Sequence, residues 1–334
     1  MKYRTLGRTG LRVSEVGMGT WQLANDPNYW IGSDLEESYK CLGAYVEAGG
    51  NFIDTAWIYG YDDKNPEIHP SEMLVGKYLK ESGNREKIVL ATKIPPKNMN
   101  WPAPEGVGID EAFPTEWVEK CVNDSLISLQ VETIDLMQFH VWQDQFVERD
   151  EWKIFVEKTK KSGKVRFFGI SINDYQPENC IRTLDTGLID TIQFIFNVFH
   201  QKPTEVLLPY AKKNNIGLIA RVPLDEGGLS GKFNSQTVFE TGDFRSKYFS
   251  GERLVELEKR IDELKKLLEP GQSVADLALR YILSFDEVSS IIPGMRRLAH
   301  VAENSKVSDE GKLSEGVMQE LKKHSWERNF YPTD

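Results

Sequence analysis

Residues 54–60 read Asp-Thr-Ala-Trp-Ile-Tyr-Gly (DTAWIYG), and the run NFID that leads into them gives way there to turn residues. KIVLAT does the same before Lys93 in ATKIPP, and IDLMQF (134–139) runs directly into His140. Short β-branched or apolar runs that stop at such residues read as strand ends. In a barrel of parallel strands the ends meet on one face, so sites far apart in sequence converge. The meeting gathers a carboxylate (Asp54), a phenol (Tyr59), an ammonium (Lys93) and an imidazole (His140). That set suits proton delivery to a carbonyl oxygen. Tyr59 donates, the Lys93 cation favours the phenolate left behind and lowers the phenol pKa, Asp54 holds Lys93 charged and in place, and His140 orients the oxygen.

The rest of the chain supplies the strands. Residues 3–13 (YRTLGRTGLRV) alternate around Gly7 and Gly10 and predict a small hairpin. SEVGMGTW predicts a first barrel strand ending at Gly19, Thr20 and Trp21. A helix from about Asp34, capped by Ser33, keeps Leu35, Tyr39, Leu42 and Val46 at helical spacing and stops at Gly49 and Gly50. The unit then recurs: helices over 71–81, 114–129, 148–161, 177–186 and 203–214 alternate with strands over 87–92, 133–139, 164–170, 190–196 and 216–221. Residues 225–250 read as a long loop rich in Gly and Ser, followed by helical patterns at 251–268 and 273–284. VSSII makes an eighth strand, and LAHVAENSKV begins a helix directly after PGMRR. Eight strands favour a closed (β/α)8 TIM barrel, of α/β class, with an N-terminal β-hairpin and a long loop after strand seven. An open sheet would show GxGxxG after its first strand, and GMGTW lacks the third glycine.

Composition narrows the function classes. The 334 residues are 40% hydrophobic and 28% charged, which suits a globular core, and no Pro/Ser/Gly linker divides them, so one domain over 1–334 is expected. The start MKYRTLGRTGLRV has no apolar signal segment, and no apolar stretch approaches membrane-spanning length. Cys41, Cys121 and Cys180 are widely spaced and odd in number, as reduced core cysteines of a cytoplasmic protein would be. A net charge of -10 argues against general attraction to nucleic acid or an anionic membrane. His140 has no second His or Cys at ligand spacing, and His69, His200, His300 and His324 are scattered, so no metal is expected.

These segments together resemble the aldo-keto reductase family over nearly the whole chain. LGRTGLRVSEVGMGTW is similar to its opening, DTAWIYG to its tyrosine signature, ATKI to its lysine strand and IDLMQFH to its histidine strand. GISIND, IQFIFN, VPLDEGGLSGK and IIPGMRR with VAEN resemble its cofactor segments in the expected order. The resemblance implies NADPH-dependent reduction of aldehyde or ketone carbonyls, with Asp54, Tyr59, Lys93 and His140 as the catalytic tetrad. It implies that Ser171, Asn173 and Gln193 hold the nicotinamide carboxamide, with Gly19, Thr20, Trp21 and Asp54 nearby. Two departures stand out: Ile172 occupies the place after Ser171 where the family commonly has asparagine, and Arg221 replaces a ring-stacking aromatic. A guanidinium stacks on a flat ring as well, yet repels an oxidised nicotinamide.

By the same resemblance the phosphates meet Val222, Pro223, Leu224 and Glu226, with Lys232 and Arg245 closing over from the long loop. Gly294, Arg296, Arg297 and His300 lie at the last helix start, which suits an anion, and Arg296 with Arg297 would grip the 2′-phosphate of NADP(H). Glu303 and Asn304 would meet the adenine. Trp21, Trp57, Trp101 and Trp142, with Met99 and Phe113, are expected to line an apolar substrate pocket over Tyr59 and His140. The partner so implied is a small carbonyl compound. Two other readings remain open at this point: an NADP-binding redox-sensing or partner-docking module with little turnover, and a barrel hydrolase recruiting Glu72 or Asp135 beside Asp54.

Overall fold

A computed structural model describes residues 1–24, 29–104, 106–173 and 176–327. Strands β1 (Tyr3–Thr5) and β2 (Arg12–Ser14) form the expected antiparallel hairpin, with Tyr3 opposite Ser14. Eight parallel strands follow in chain order: β3 (Met18–Gly19), β4 (Phe52–Asp54), β5 (Val89–Ile94), β6 (Ile134–Phe139), β7 (Val165–Ser171), β8 (Thr191–Ile195), β9 (Gly217–Arg221) and β10 (Ser290–Ile291). Parallel bridges Val16–Ile291 and Gly19–Gly294 close the seam between first and last strands. The TIM barrel is therefore as the alternation of elements requires.

Successive strand residues face opposite sides, and the apolar content follows that period. Phe52, Val89, Ala91, Leu136 and Ile219 cluster inside with Leu6, Leu11 and Val13 of the hairpin region. Their neighbours Ile53, Leu90, Met137, Ile192 and Leu218 pack outward into the larger core under the helices. Gly7 lets the hairpin press this close: it sits at φ +49°, and a Cβ there would lie 2.1 Å from the Gly217 nitrogen. Arg4 ties the hairpin to the chain's last third, donating to the carbonyls of Leu283, Phe285 and Val288.

The helices differ from the sequence reading mostly at their ends. The first, Leu35–Glu47, is capped by Asp34, whose carboxylate accepts from the amides of Glu36 and Glu37. Ser33, expected as the cap, instead donates to the Gln22 carbonyl. The pattern at 148–161 resolves into a 3-10 turn, Asp144–Glu148, and a helix, Glu151–Lys161. That at 177–186 shrinks to Ile181–Asp185, where the buried Asp144 takes up the amides of Arg182 and Thr183. Helix Pro70–Ser82 meets Thr115–Ser128 at Gly76, where a Cβ would fall 2.4 Å from the Ser128 carbonyl.

The stretch read as a long loop has structure of its own. It carries short 3-10 turns within Asp225–Ser230, broken by a kink at Glu226 and Gly227, and a single helical turn, Arg245–Tyr248, with Phe233, Phe239 and Phe249 packed ring against ring. A short helix, Glu315–Leu321, was not foreseen. None of the described helices is long and apolar enough to cross a membrane.

Candidate functional site

Asp54 ends β4, Lys93 lies next to last on β5, and His140 directly follows β6. Tyr59 lies in the turn after β4, folded back over the same opening. The Lys93 ammonium donates to Asp54 Oδ2 at 2.5 Å, to the Thr55 carbonyl at 2.8 Å and to the Tyr59 hydroxyl at 3.3 Å. Lys93 is fully buried and Asp54 only 1% exposed. The second carboxylate oxygen of Asp54 accepts from Gln193 at 2.7 Å and Gln138 at 3.2 Å, so both oxygens are engaged inside the barrel. A buried ion pair is tolerable only when its remaining valences are satisfied in this way.

The electrostatics separate the two proton-carrying groups. Burial, reinforced by the Asp54 charge, pushes the Tyr59 phenol well above its ordinary value, and Arg221 opposes this only in part. The expected lowering of this pKa by Lys93 is thus corrected: desolvation dominates, and the phenol keeps its proton at neutral pH. Burial, then the Lys93 and Arg221 cations, pushes His140 well below its usual range, so its imidazole is neutral. The centroids of its ring and the Tyr59 ring lie 6.1 Å apart.

A cavity of about 1580 Å³ opens over this centre. Its wall takes in Asp54, Tyr59, His140, Gln193, Arg221, the segment Val222–Leu224 and Glu226. Gly19, Thr20, Trp21, Lys232, Arg245, Gly294, Arg296, Arg297, His300, Glu303 and Asn304 line it as well. Lys93 lies behind the wall and reaches the cavity through Tyr59. In a chain of net charge -10, the cations on one side of this cavity crowd each other. Arg296 is pushed below its ordinary pKa by burial and then by Arg245 and Arg297, and His300 by burial and then Lys232. Arg297 precedes the helix Leu298–Glu310, and no side chain caps that helix start. Such a place favours an anion.

Several expected contacts differ in detail. Ser171 and Asn173 are buried beside the cavity without lining it, and Ser171 Oγ and Asn173 Nδ2 have no hydrogen-bond partner among the described residues. Gln193 lines the cavity but directs its amide NH₂ at Asp54. Arg245 is clasped by Asp243 through Nε at 2.9 Å and lies 4.6 Å from the Trp30 ring. Arg296 donates to the Ile31 carbonyl at 2.9 Å. Val222 and Glu226 stand at φ 54° and 53°, a left-handed conformation that a β-branched residue adopts only under constraint. Burial and then Asp225 push the Glu226 carboxyl up to about 8.

The aromatic rim divides the four expected tryptophans into two pairs. Trp21 stacks on Tyr59 with centroids 5.7 Å apart, and Trp101 meets His140 edge-on at 4.8 Å. Trp57 and Trp142, expected in the pocket, are instead core residues. Trp57 packs with His69 and Trp117 and donates to Asp124 at 3.0 Å; Trp142 packs among Phe113, Phe139 and Trp152 and donates to Thr183 at 2.8 Å. Phe113, also expected in the pocket, is core with them. Their places at the rim are taken by Tyr29, Trp30 and Phe244, which the sequence reading did not single out. Only their aromatic character in loops near the strand ends marked them beforehand. Asp135 is far from this role: Arg85 and Arg166 bind it at the start of β6. Among the described residues no group of His, Cys, Asp and Glu side chains is arranged to hold a metal ion.

The fold recurs in known proteins, and the sequence matches them over most of its length. The chain is 31% identical over 312 residues to aldo-keto reductase YhdN of Bacillus subtilis, covering 92% of this chain and 89% of that one. It is 28% identical over 318 residues, 91% and 92% of the two chains, to an NADH-specific methylglyoxal reductase of Escherichia coli. The structure of glycerol dehydrogenase AKR11B4 from Gluconobacter oxydans superposes with a TM-score of 0.75 at 29% identity, covering 94% of this chain and 92% of that one. The model for the Aldo/keto reductase family matches residues 15–325. A barrel closed by eight parallel strands, matched by the family model over residues 15–325 and by relatives over more than nine-tenths of its length, makes this chain an oxidoreductase of the aldo/keto reductase family.

Proposed function

We propose that the protein reduces aldehyde or ketone carbonyls to alcohols with NADPH, and that Tyr59 is the general acid. One observation carries this reading: the Tyr59 hydroxyl sits at the cavity wall with the buried Lys93 ammonium 3.3 Å behind it. When bound, the nicotinamide supplies the hydride. The chain supplies the proton and the place. Tyr59, kept protonated by burial, gives its proton to the carbonyl oxygen, and Lys93 stabilises the phenolate that forms. Asp54 and the two glutamines fix Lys93 in the charged state that this requires. Neutral His140 offers one N–H to the substrate oxygen and orients it.

The residues present fit a nicotinamide nucleotide. The unpartnered polar atoms of Ser171 and Asn173 suit a carboxamide, while Gln193, already held by Asp54, contributes through its position at the wall. The cations Lys232, Arg245, Arg296 and Arg297 suit phosphates, and the last two suit a 2′-phosphate. Arg221, beside Glu226, takes the place of a stacking ring. The Escherichia coli relative named for NADH makes cofactor choice the point to test. Steady-state oxidation of NADPH and NADH is to be followed with a panel of aldehydes and ketones. NADPH is expected to be used with the higher kcat/KM. A preference for NADH would overturn the cofactor assignment, and nucleotide binding without turnover of any carbonyl would overturn the reductase.

A further inference from the structure

Behind the wall of the site, Ser71 and Glu72 in the first turn of helix Pro70–Ser82 reach three successive strand ends. Ser71 Oγ lies 2.7 Å from Thr20 Oγ1, after β3, and 2.9 Å from Thr55 Oγ1, after β4. Thr55 also supplies the carbonyl that receives the Lys93 ammonium. Glu72 Oε1 accepts the Thr92 hydroxyl at 2.5 Å, and Thr92 directly precedes Lys93 on β5. Ser71, Glu72 and Thr92 are all fully buried. A carboxyl in such a place is costly when ionised, so its presence there asks for a reason beyond packing.

We propose that Glu72 is a positioning residue: it holds the strand end carrying Lys93 through Thr92 and, by taking up or releasing its proton, sets the charge felt by Lys93 and Tyr59. The proposal rests on the reductase reading above.

The groups around Glu72 define what it can do. Lys93 faces it from β5, and Asp124, Ser125 and Cys121 face it from helix Thr115–Ser128. Burial pushes its carboxyl up to about 7, opposed by the hydroxyl of Thr92, raised further by Asp124 and lowered by Lys93, while Glu72 Oε2 has no hydrogen-bond partner among the described residues. Tyr59 and His140 are displaced well away from neutrality in opposite directions, so neither changes charge there. Glu226, pushed to about 8, lies on the cavity wall and its charge also reaches Tyr59, so part of any change in rate toward pH 8 belongs to it. Once ionised, Glu72 places a negative charge on the lysine side of the site. That charge works against the phenolate which proton donation leaves on Tyr59, so reduction slows as pH rises through about 7.

Glu72→Gln keeps the volume and an oxygen for Thr92 but cannot ionise. In the wild type, kcat/KM for carbonyl reduction is expected to fall severalfold between about pH 6 and about pH 8, and the NMR resonance of the Lys93 Nζ to move over the same range. In Glu72→Gln the movement of the Lys93 resonance should vanish and the fall in kcat/KM should shrink to the part that Glu226 contributes, while activity near pH 6 stays close to wild type. Glu72→Ala should lose activity at every pH, and its recovery by glutamine marks the hydrogen bond to Thr92 as what was lost. A pH step and a moving Lys93 resonance that persist unchanged in Glu72→Gln would overturn the proposal, as would a wild-type resonance that does not move. The resonance needs no turnover, so a protein that reduces nothing sinks the reductase reading while the Lys93 signal still decides the role of Glu72.

Discussion

At one end of the barrel Phe52, Val89, Leu136 and Ile219 close around Leu6, Leu11 and Val13. A few residues further along the same strands stand Asp54, Lys93, Gln138 and Arg221. Alternate strand residues share a face, so both sets project into one interior, separated along each strand by roughly 7 Å or about twice that. The apolar end removes surface from water at about 25 cal/mol per Å² and needs nothing else to be stable. The polar end sets an ion pair in a place where desolvation offsets most of the attraction. The difference teaches that the hairpin end holds the barrel together, and that the opposite end carries groups which packing alone does not account for, as the proposed chemistry would require.

The largest expected effect breaks the polar end at its reacting atom. Tyr59→Phe should lower turnover by about 100-fold to 10,000-fold with NADPH fluorescence quenching nearly unchanged. Activity equal to wild type would remove Tyr59 from the mechanism. Next comes Lys93→Met, which strands a buried Asp54 and should cost about 3–5 kcal/mol in denaturant unfolding as well as activity. Replacing Asp54 by Leu in the same protein should restore most of that stability and none of the turnover. A double variant as unstable as the single one would mean that the ion pair contributes to folding after all.

At the other end, Leu6→Ala should cost about 2–5 kcal/mol of stability and leave kcat unchanged at temperatures where the protein stays folded. A drop in kcat would deny the separation of the two ends. Arg296→Ala is expected to weaken NADPH about tenfold, near 1.4 kcal/mol, and NADH far less. Equal weakening would assign Arg296 to the Ile31 carbonyl it already holds. The smallest effect is a drift with pH. His140 in the folded chain lies below its ordinary 6.5, so the unfolded chain binds the proton first and stability falls as pH drops through 6.5. His140→Asn should flatten part of that slope in urea midpoints measured across the range, and an unaltered slope would mean that His140 already carries its proton in the folded state.

The barrel was legible because its strands are short apolar runs that end in turn residues, and because eight of them alternate with helical patterns. The hairpin, and the placing of Asp54, Lys93 and His140 at strand ends, came from the same reading. Helix ends were less legible wherever two good caps adjoin: Ser33 and Asp34 both suit an N-cap, and only the Gln22 carbonyl nearby draws Ser33 away. The tryptophans were misread for a related reason. Trp57 and Trp142 follow strand ends, where the two-residue alternation has stopped, so nothing local says which way they point. Asp124 and Thr183, distant in sequence, receive their indole N–H groups and turn both rings inward.

What the amino-acid order determined by itself was periodic or local: strand faces, the alternation that closes a barrel, and which reactive side chains stand at strand ends. What tertiary structure alone decided was charge and direction. The raised phenol of Tyr59, the neutral imidazole of His140, the left-handed Val222 and the carboxyl of Glu72 behind Lys93 all depend on which groups share a buried volume. Desolvation and Coulomb forces act through space on neighbours that the chain brings together only once it has folded.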